Sequence, residues 1–262
     1  MIKKRLPRRL GHGEEATLVE HLGELRTRLV IALSAIVPTF VVAFIFHEQL
    51  IDWLTRPLPD DKSLVTLGVT EPFTTAVKVS LAAAVAVTLP LLLYQLWSFL
   101  APAIEEHMQR TVSAFVALST VLFSGGVAFS YFIVLPRALS FLTNFGADQF
   151  EVDIRASYYF SFVTVTLLAS GLAFQMPIFI LALVRLRVLT AAKLRRNRRL
   201  GYVLMVVFAI LLPTVDPVSL ALEVAPLLIL FEVSIWLSSY MERRWALDPE
   251  SDEFGGLFPD RE

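Results

Sequence analysis

Tyr94-Gln-Leu-Trp-Ser-Phe-Leu-Ala-Pro-Ala-Ile-Glu-Glu-His-Met-Gln-Arg110 lies between two long apolar runs, so it is held at a membrane surface on both sides. It opens with Tyr94, Trp97 and Phe99, breaks at Pro102, and turns polar at the adjacent Glu105 and Glu106. Aromatic rings favour the headgroup level, where one end is dry and the other wet. Carboxylates beside them make a half-dehydrated anionic patch, which suits guanidinium groups. The same composition also describes an ordinary interfacial loop with an aromatic belt.

Outward from this stretch, apolar runs dominate. The chain of 262 residues is 56% hydrophobic, with a mean hydropathy of +0.65, above the ~45–50% apolar share of soluble domains. A net charge of −1 gives no sign of a nucleic-acid partner, and the absence of cysteine excludes disulfides and thiolate metal sites. His12, His21, His47 and His107 fall outside the apolar runs without metal-ligand spacing. No cofactor is implied. The expected class is an all-α membrane protein with six transmembrane helices.

The amino terminus is basic, and Thr17-Leu-Val-Glu20 fits a capping box. Leu18, Leu22, Leu25 and Leu29 then recur at helical spacing, so His21-Leu-Gly-Glu-Leu-Arg-Thr-Arg-Leu29 reads as an amphipathic helix running into the first span. Glu24 and Arg28 are an i,i+4 pair on it. The six runs are about 29–46, 76–93, 111–135, 158–184, 200–212 and 218–238. Residues 47–75, with Pro57 and Glu71, and 136–156 read as polar loops. Gly126-xxx-Ser130 allows close helix approach in the third span, and Phe174-Gln-Met-Pro177 interrupts the fourth. The fifth and sixth spans are expected to be short, the fifth giving roughly 20 Å of helix against a ~30 Å core, which suggests a locally thinned bilayer. The domains are then 1–28, an amphipathic segment; 29–238, the six-span domain; and 239–262, a largely disordered acidic tail.

Lys and Arg set the orientation. Eighteen of the 23 fall in the segments on the side of both termini, which places the termini in the cytoplasm, together with the opening stretch. Polar groups at membrane depth are functional candidates because their burial is costly. They are Glu232 in the last run, Gln175 in the fourth, and Glu223 near the outer end of the last, where it reaches water. Asp216, in the Pro213-Thr-Val-Asp-Pro217 turn, fits a helix cap.

These pieces together resemble the TatC family, the multispanning receptor subunit of the twin-arginine protein translocase. The resemblance rests on His21 to Leu29, Thr70-Glu-Pro-Phe73, Tyr94 to Pro102, Phe129-Ser-Tyr-Phe-Ile-Val-Leu-Pro136, Ser170-Gly-Leu-Ala-Phe-Gln-Met-Pro177, Leu212-Pro-Thr-Val-Asp216 and Leu230-Phe-Glu232, in that order. It implies a cupped bundle in the bacterial cytoplasmic (inner) membrane that binds twin-arginine signal peptides. It also implies export of folded precursors by the proton-motive force, with single-span TatA and TatB partners in an oligomer, and no enzyme activity. Signal-peptide binding carries over to Phe99, Glu24 and Arg26, with Arg26 organising the acidic patch. The family usually has a glutamate at the position of Met108; Glu105, three residues earlier on the same helical face, is expected to replace it with help from Glu106. A glutamate is also common where Gln175 stands. Gln175, Glu232, Asp216, Pro57 and Glu71 are the expected intramembrane and partner contacts. The competing class is a secondary transporter of a small solute or ion, which would show repeated halves around a midplane site.

Overall fold

The structure, a computed structural model, describes residues 18–100, 109–147, 149, 153–185, 188–213 and 216–246. Glu105, Glu106 and Met108, the capping box at Thr17 and the acidic tail lie outside the described residues.

Helix α1 (Leu18–Ile45) carries the amphipathic stretch into the first apolar run without a break. It leans on α3 and turns Leu29, Leu33, Val37 and Val41 outward, as a helix does when its solvent is lipid. The segment read as a polar loop is largely ordered. It holds α2 (His47–Thr55) and the short strand β1 (Leu64–Val65), and α3 (Glu71–Leu100) begins five residues before the expected start of its span. Pro72 does not prevent this, because amides of a first turn need no intrahelical acceptor.

The third span also outruns its expected end. Helix α4 (Gln109–Phe129) passes through a π-helical turn, Ser130–Val134, into α5 (Leu135–Asn144). Pro136 has no amide for the carbonyl four residues back. The ladder widens just ahead of it, with Leu135 N donating to Ser130 O, and the helix continues past the proline.

Strand β2 (Ile154–Arg155) leads into α6 (Ala156–Ala173), which breaks at Phe174-Gln175 before α7 (Met176–Arg185). Then come α8 (Ala191–Arg196), α9 (Arg198–Ile210) and α10 (Pro217–Ala246). Among the described residues, five segments are long and apolar enough to cross a membrane: Gly23–Ile45, Glu71–Phe99, Ser113–Asn144, Ala156–Arg185 and Pro217–Glu242. The protein is a multi-pass membrane protein. The fifth span of the sequence reading, α9, has 13 residues and is short as expected. The sixth is not short: α10 has 30 residues. Glu223 and Glu232 do not end it, because each finds a partner within the bundle, and the helix runs on past Ser238.

Strands β1 and β2 pair in parallel, Leu64 with Ile154 and Val65 with Arg155, and close one end of the bundle, the capped end. Leu54, Tyr131, Leu135, Tyr159 and Val163 pack beneath them. Tyr131 and Tyr159 donate to the carbonyls of Trp53 (2.7 Å) and Leu54 (2.8 Å). The opposite, basic end carries α8 and the carboxyl-terminal ends of α3 and α10. Leu89, Leu93, Trp97, Phe123 and Ile178 form the core towards this end, and Ala209, Leu227, Phe231 and Ile235 join α9 to α10.

Glu71 ties the cap together. Its Oε2 accepts from Leu67 N (2.9 Å) and Gly68 N (3.2 Å), and its Oε1 from Ser157 N (3.0 Å) and Arg155 Nε (3.1 Å). The hydrogen bond from Arg155 to Glu71, then the carboxylate charge, raises the guanidinium pKa further, so this pair is charged throughout the physiological range. Replacing Glu71 with alanine leaves Arg155 and three amides without their acceptor. The expected result is that protease added from the capped side cleaves between residues 56 and 70 in Glu71→Ala but spares the unmodified protein. Equal resistance would show that the strands hold the cap alone.

Candidate functional site

The predicted surface at the end of α3 is assembled by one side chain that sequence reading had assigned to a local pair. Arg28 donates through Nε (3.0 Å) and Nη2 (2.5 Å) to Glu24 Oε1, one turn back on α1. It also reaches across to α3, with Nη1 to Gln95 Oε1 at 3.3 Å and Nη2 to Ser98 O at 3.0 Å. The planar guanidinium serves three acceptors at once, which an ammonium on a flexible stem does not match. One of these acceptors, the Ser98 carbonyl, lies in the last turn of α3, where intrahelical donors run out. Glu24 is thereby placed beside the turn that carries Phe99, which is half-buried. Arg26 is exposed on α1, and the described contacts of the patch run through Arg28 instead.

Trp97 corrects the aromatic-belt reading. Tyr94 is exposed at the surface as expected, but Trp97 is 5% exposed. Its ring packs near Phe115 and Phe179, with centroids at 5.2 and 6.3 Å, and its Nε1 donates to Ser119 Oγ at 3.4 Å. Ser119 is also the partner of the fourth span: Gln175 Nε2 donates to Ser119 O at 3.0 Å. The helix break at Gln175 is thus joined through α4 to the end of α3, two residues from Phe99. Gln175→Leu is expected to cost about 1 kcal/mol, the net worth of one intramolecular hydrogen bond. Thermal unfolding in detergent measures it, and an unchanged Tm would mean that the amide is not holding the break.

The remaining candidates sit elsewhere. Glu232 accepts from Tyr202 Oη and from Arg198 Nη2, the latter at 3.1 Å, on a partly exposed flank of α9 and α10. Further along α10, Glu242 Oε1 accepts from Ala191 N (2.8 Å) and Arg195 donates to Ser239 Oγ (2.9 Å), fixing α8 to α10. Asp216 caps α10, its Oδ1 accepting from Ser219 N at 2.8 Å. Pro57 lies in the turn after α2 at the capped end, on the same side as Glu71. Glu223, read from the sequence as reaching water, is buried at 3% exposure against α6. Sequence reasoning missed Arg28 and Trp97 as organisers. Gln95 within the opening stretch was the available signal, but its partner becomes visible only once α1 is laid on α3. No group of His, Asp and Glu suited to a metal ion occurs among the described residues.

Comparison with known proteins agrees with this architecture. Residues 20–226 match the family model described as TatC, Sec-independent protein translocase protein. The chain is 36% identical over 231 residues to the Sec-independent protein translocase protein TatCd of Bacillus subtilis strain 168, covering 88% of this chain and 95% of that protein. It is 36% identical over 233 residues to the TatC of Aquifex aeolicus strain VF5, covering 87% and 96%. A crystal structure of the twin-arginine translocase receptor TatC in DDM superposes with a TM-score of 0.74 at 35% identity, over 84% of this chain and 99% of that one. With the family model matched across four of the five long spans and into α10, and the fold matched over nearly the whole of a solved structure, the chain belongs to the TatC family of Sec-independent protein translocase proteins.

Proposed function

We propose that the chain is the receptor and core subunit of a Sec-independent translocase, which takes signal peptides bearing paired arginines on folded precursors at its basic end. It works without nucleotide hydrolysis in this subunit, drawing on the proton-motive force, as an oligomer with single-span TatA- and TatB-type subunits. It lies in a bacterial cytoplasmic membrane with the basic end and both termini in the cytoplasm, a placement supported by the Lys and Arg bias of the segments at that end.

The observation that carries this reading is Arg28, which clamps α1 onto the end of α3 and so sets Glu24 beside the Phe99 turn. A carboxylate next to an aromatic side chain at a membrane surface suits a guanidinium pair. The sequence after Phe99 adds Glu105, aided by Glu106, in place of a carboxylate at Met108. Glu232, partly exposed on the α9–α10 flank, is the contact offered to a single-span partner. Gln175, Asp216, Glu71 and Pro57 shape the bundle behind it. The solute-transporter alternative has no support from the relatives, which are translocase proteins.

A photo-crosslinker at Phe99 in native-like membranes tests the receptor. A precursor with Arg-Arg is expected to crosslink, and the same precursor with Lys-Lys is not; equal crosslinking of both would overturn the assignment. Glu105→Arg is expected to abolish arginine-pair recognition, whereas normal export by that variant would remove Glu105 from the site.

A further inference from the structure

Lys78 sits on the seam between α3 and α6, at the capped end and away from the receptor surface. It follows Glu71, the first residue of its membrane span, by seven positions, which places it about 10 Å along the helix. The span has 29 residues, roughly 43 Å of helix against a ~30 Å hydrocarbon core. With the excess shared between the two ends, Lys78 falls just inside the core boundary. Helical side chains lean towards the amino-terminal end of their helix, so the ammonium reaches back to the level of the lipid headgroups.

Lys78 is exposed, and its Nζ donates to Ser161 Oγ of α6 at 3.3 Å. An ammonium carries three donors, and among the described residues no carboxylate lies within ion-pair distance of this one. Glu71, two turns back on α3, is buried and committed to Arg155 and to the amides of Leu67, Gly68 and Ser157. Asp153, ahead of β2, is exposed. Arg155 is offset by Glu71, so Lys78 leaves this seam with one net positive charge.

Below the ammonium the seam is apolar. Leu81, one turn on from Lys78, and Val165, one turn on from Ser161, are 48% and 51% exposed, and Leu172 continues the α6 stripe at 52%. Both helices begin at the capped end, so these side chains lie deeper in the membrane than the cation. A soluble anion would leave the two stripes uncovered, and an apolar partner helix would leave the ammonium without an acceptor. A phospholipid satisfies both, with its phosphate at headgroup level and its acyl chain beneath. We propose that the α3–α6 seam binds an anionic phospholipid from the leaflet at the capped end, its phosphate on Lys78 and an acyl chain along Leu81, Val165 and Leu172. A headgroup with a cation of its own is disfavoured, because it sets a second positive charge beside Lys78.

Native mass spectrometry of the full chain in detergent, titrated with phosphatidylglycerol or phosphatidylcholine, counts the retained lipids and measures how tightly each is held. The tightest site is expected to prefer phosphatidylglycerol by about 5-fold, the effect of one basic side chain at a membrane surface. Lys78→Gln is expected to remove that preference and Lys78→Arg to keep it. Inorganic phosphate at the same concentration as the lipid is expected not to displace it. An unchanged preference in Lys78→Gln, or its loss in Lys78→Arg as well, would overturn the phosphate contact. Displacement by inorganic phosphate would overturn the acyl contact and leave an anion site only. A preference that vanishes in Lys193→Gln instead would move the anionic lipid to the basic end and overturn the assignment. No signal peptide enters these readouts, so the lipid site stands or falls apart from the receptor function.

Discussion

Gly126→Val is expected to destabilise the bundle strongly, by on the order of 3 kcal/mol. A Cβ at Gly126 would sit 2.8 Å from Ser170 O and 3.0 Å from Gly171 Cα. Both are backbone atoms of α6, so neither helix can yield by turning a side chain. The γ-methyl groups of valine extend the clash, and α4 and α6 must separate. For a chain of this length the penalty corresponds to a Tm lower by about 6–12 °C in detergent. Gly201 is a useful contrast. A Cβ there would meet the ring of Phe231, the end of a side chain, and Gly201→Ala is expected to lower Tm less than Gly126→Ala. The reverse order would mean that the α4–α6 crossing is looser than its backbone spacing implies.

The second large effect falls on recognition. Arg28→Ala is expected to weaken binding of a labelled twin-arginine signal peptide by about 10–100-fold, the equivalent of about 1.5–3 kcal/mol. Glu24 is 37% exposed in its side chain, so solvent screens its part of the pairing. The larger loss comes from releasing α1 from Gln95 and the Ser98 carbonyl. Arg28→Lys should recover little of the affinity, because one ammonium does not span Glu24, Gln95 and Ser98 together. Titration of the labelled peptide against protein in nanodiscs measures both variants. Unchanged affinity in Arg28→Ala, with the protein still folded, would show that α1 needs no clamp to recognise its ligand.

The parts of this architecture that were legible in the sequence are those set by long apolar runs and by small residues. Gly126 identified a close helix crossing, Phe174 to Pro177 a broken span, and the 13 residues before Pro213 a short one. The misreadings came from residues whose meaning depends on a distant partner. Pro136 looked like the end of a helix because a proline removes a donor; the compensating π-helical turn is a property of the backbone around it. Glu223 looked solvated because it lies near a helix end, whereas it is buried and accepts a hydrogen bond from Ser170 of α6. Trp97 has the composition of a belt residue and the position of a core residue, and only the packing of α4 distinguishes the two. Strands of two residues carry no periodicity to detect.

Glu71 enters the membrane region with the second span, but Arg155 and the amide of Ser157 are made more than eighty residues later, 84 and 86 positions along. At ribosomal rates of about 5–20 residues per second, that interval is roughly 4–17 s. Throughout it, the carboxylate is an anion without its cation, and β1 is a strand edge without β2. Closure of the cap therefore reports that the fourth span has been delivered, which makes the Glu71–Arg155 pair a late event in biogenesis. A nascent chain stalled before Arg155 would expose the 56–70 segment, and one released beyond α6 would protect it.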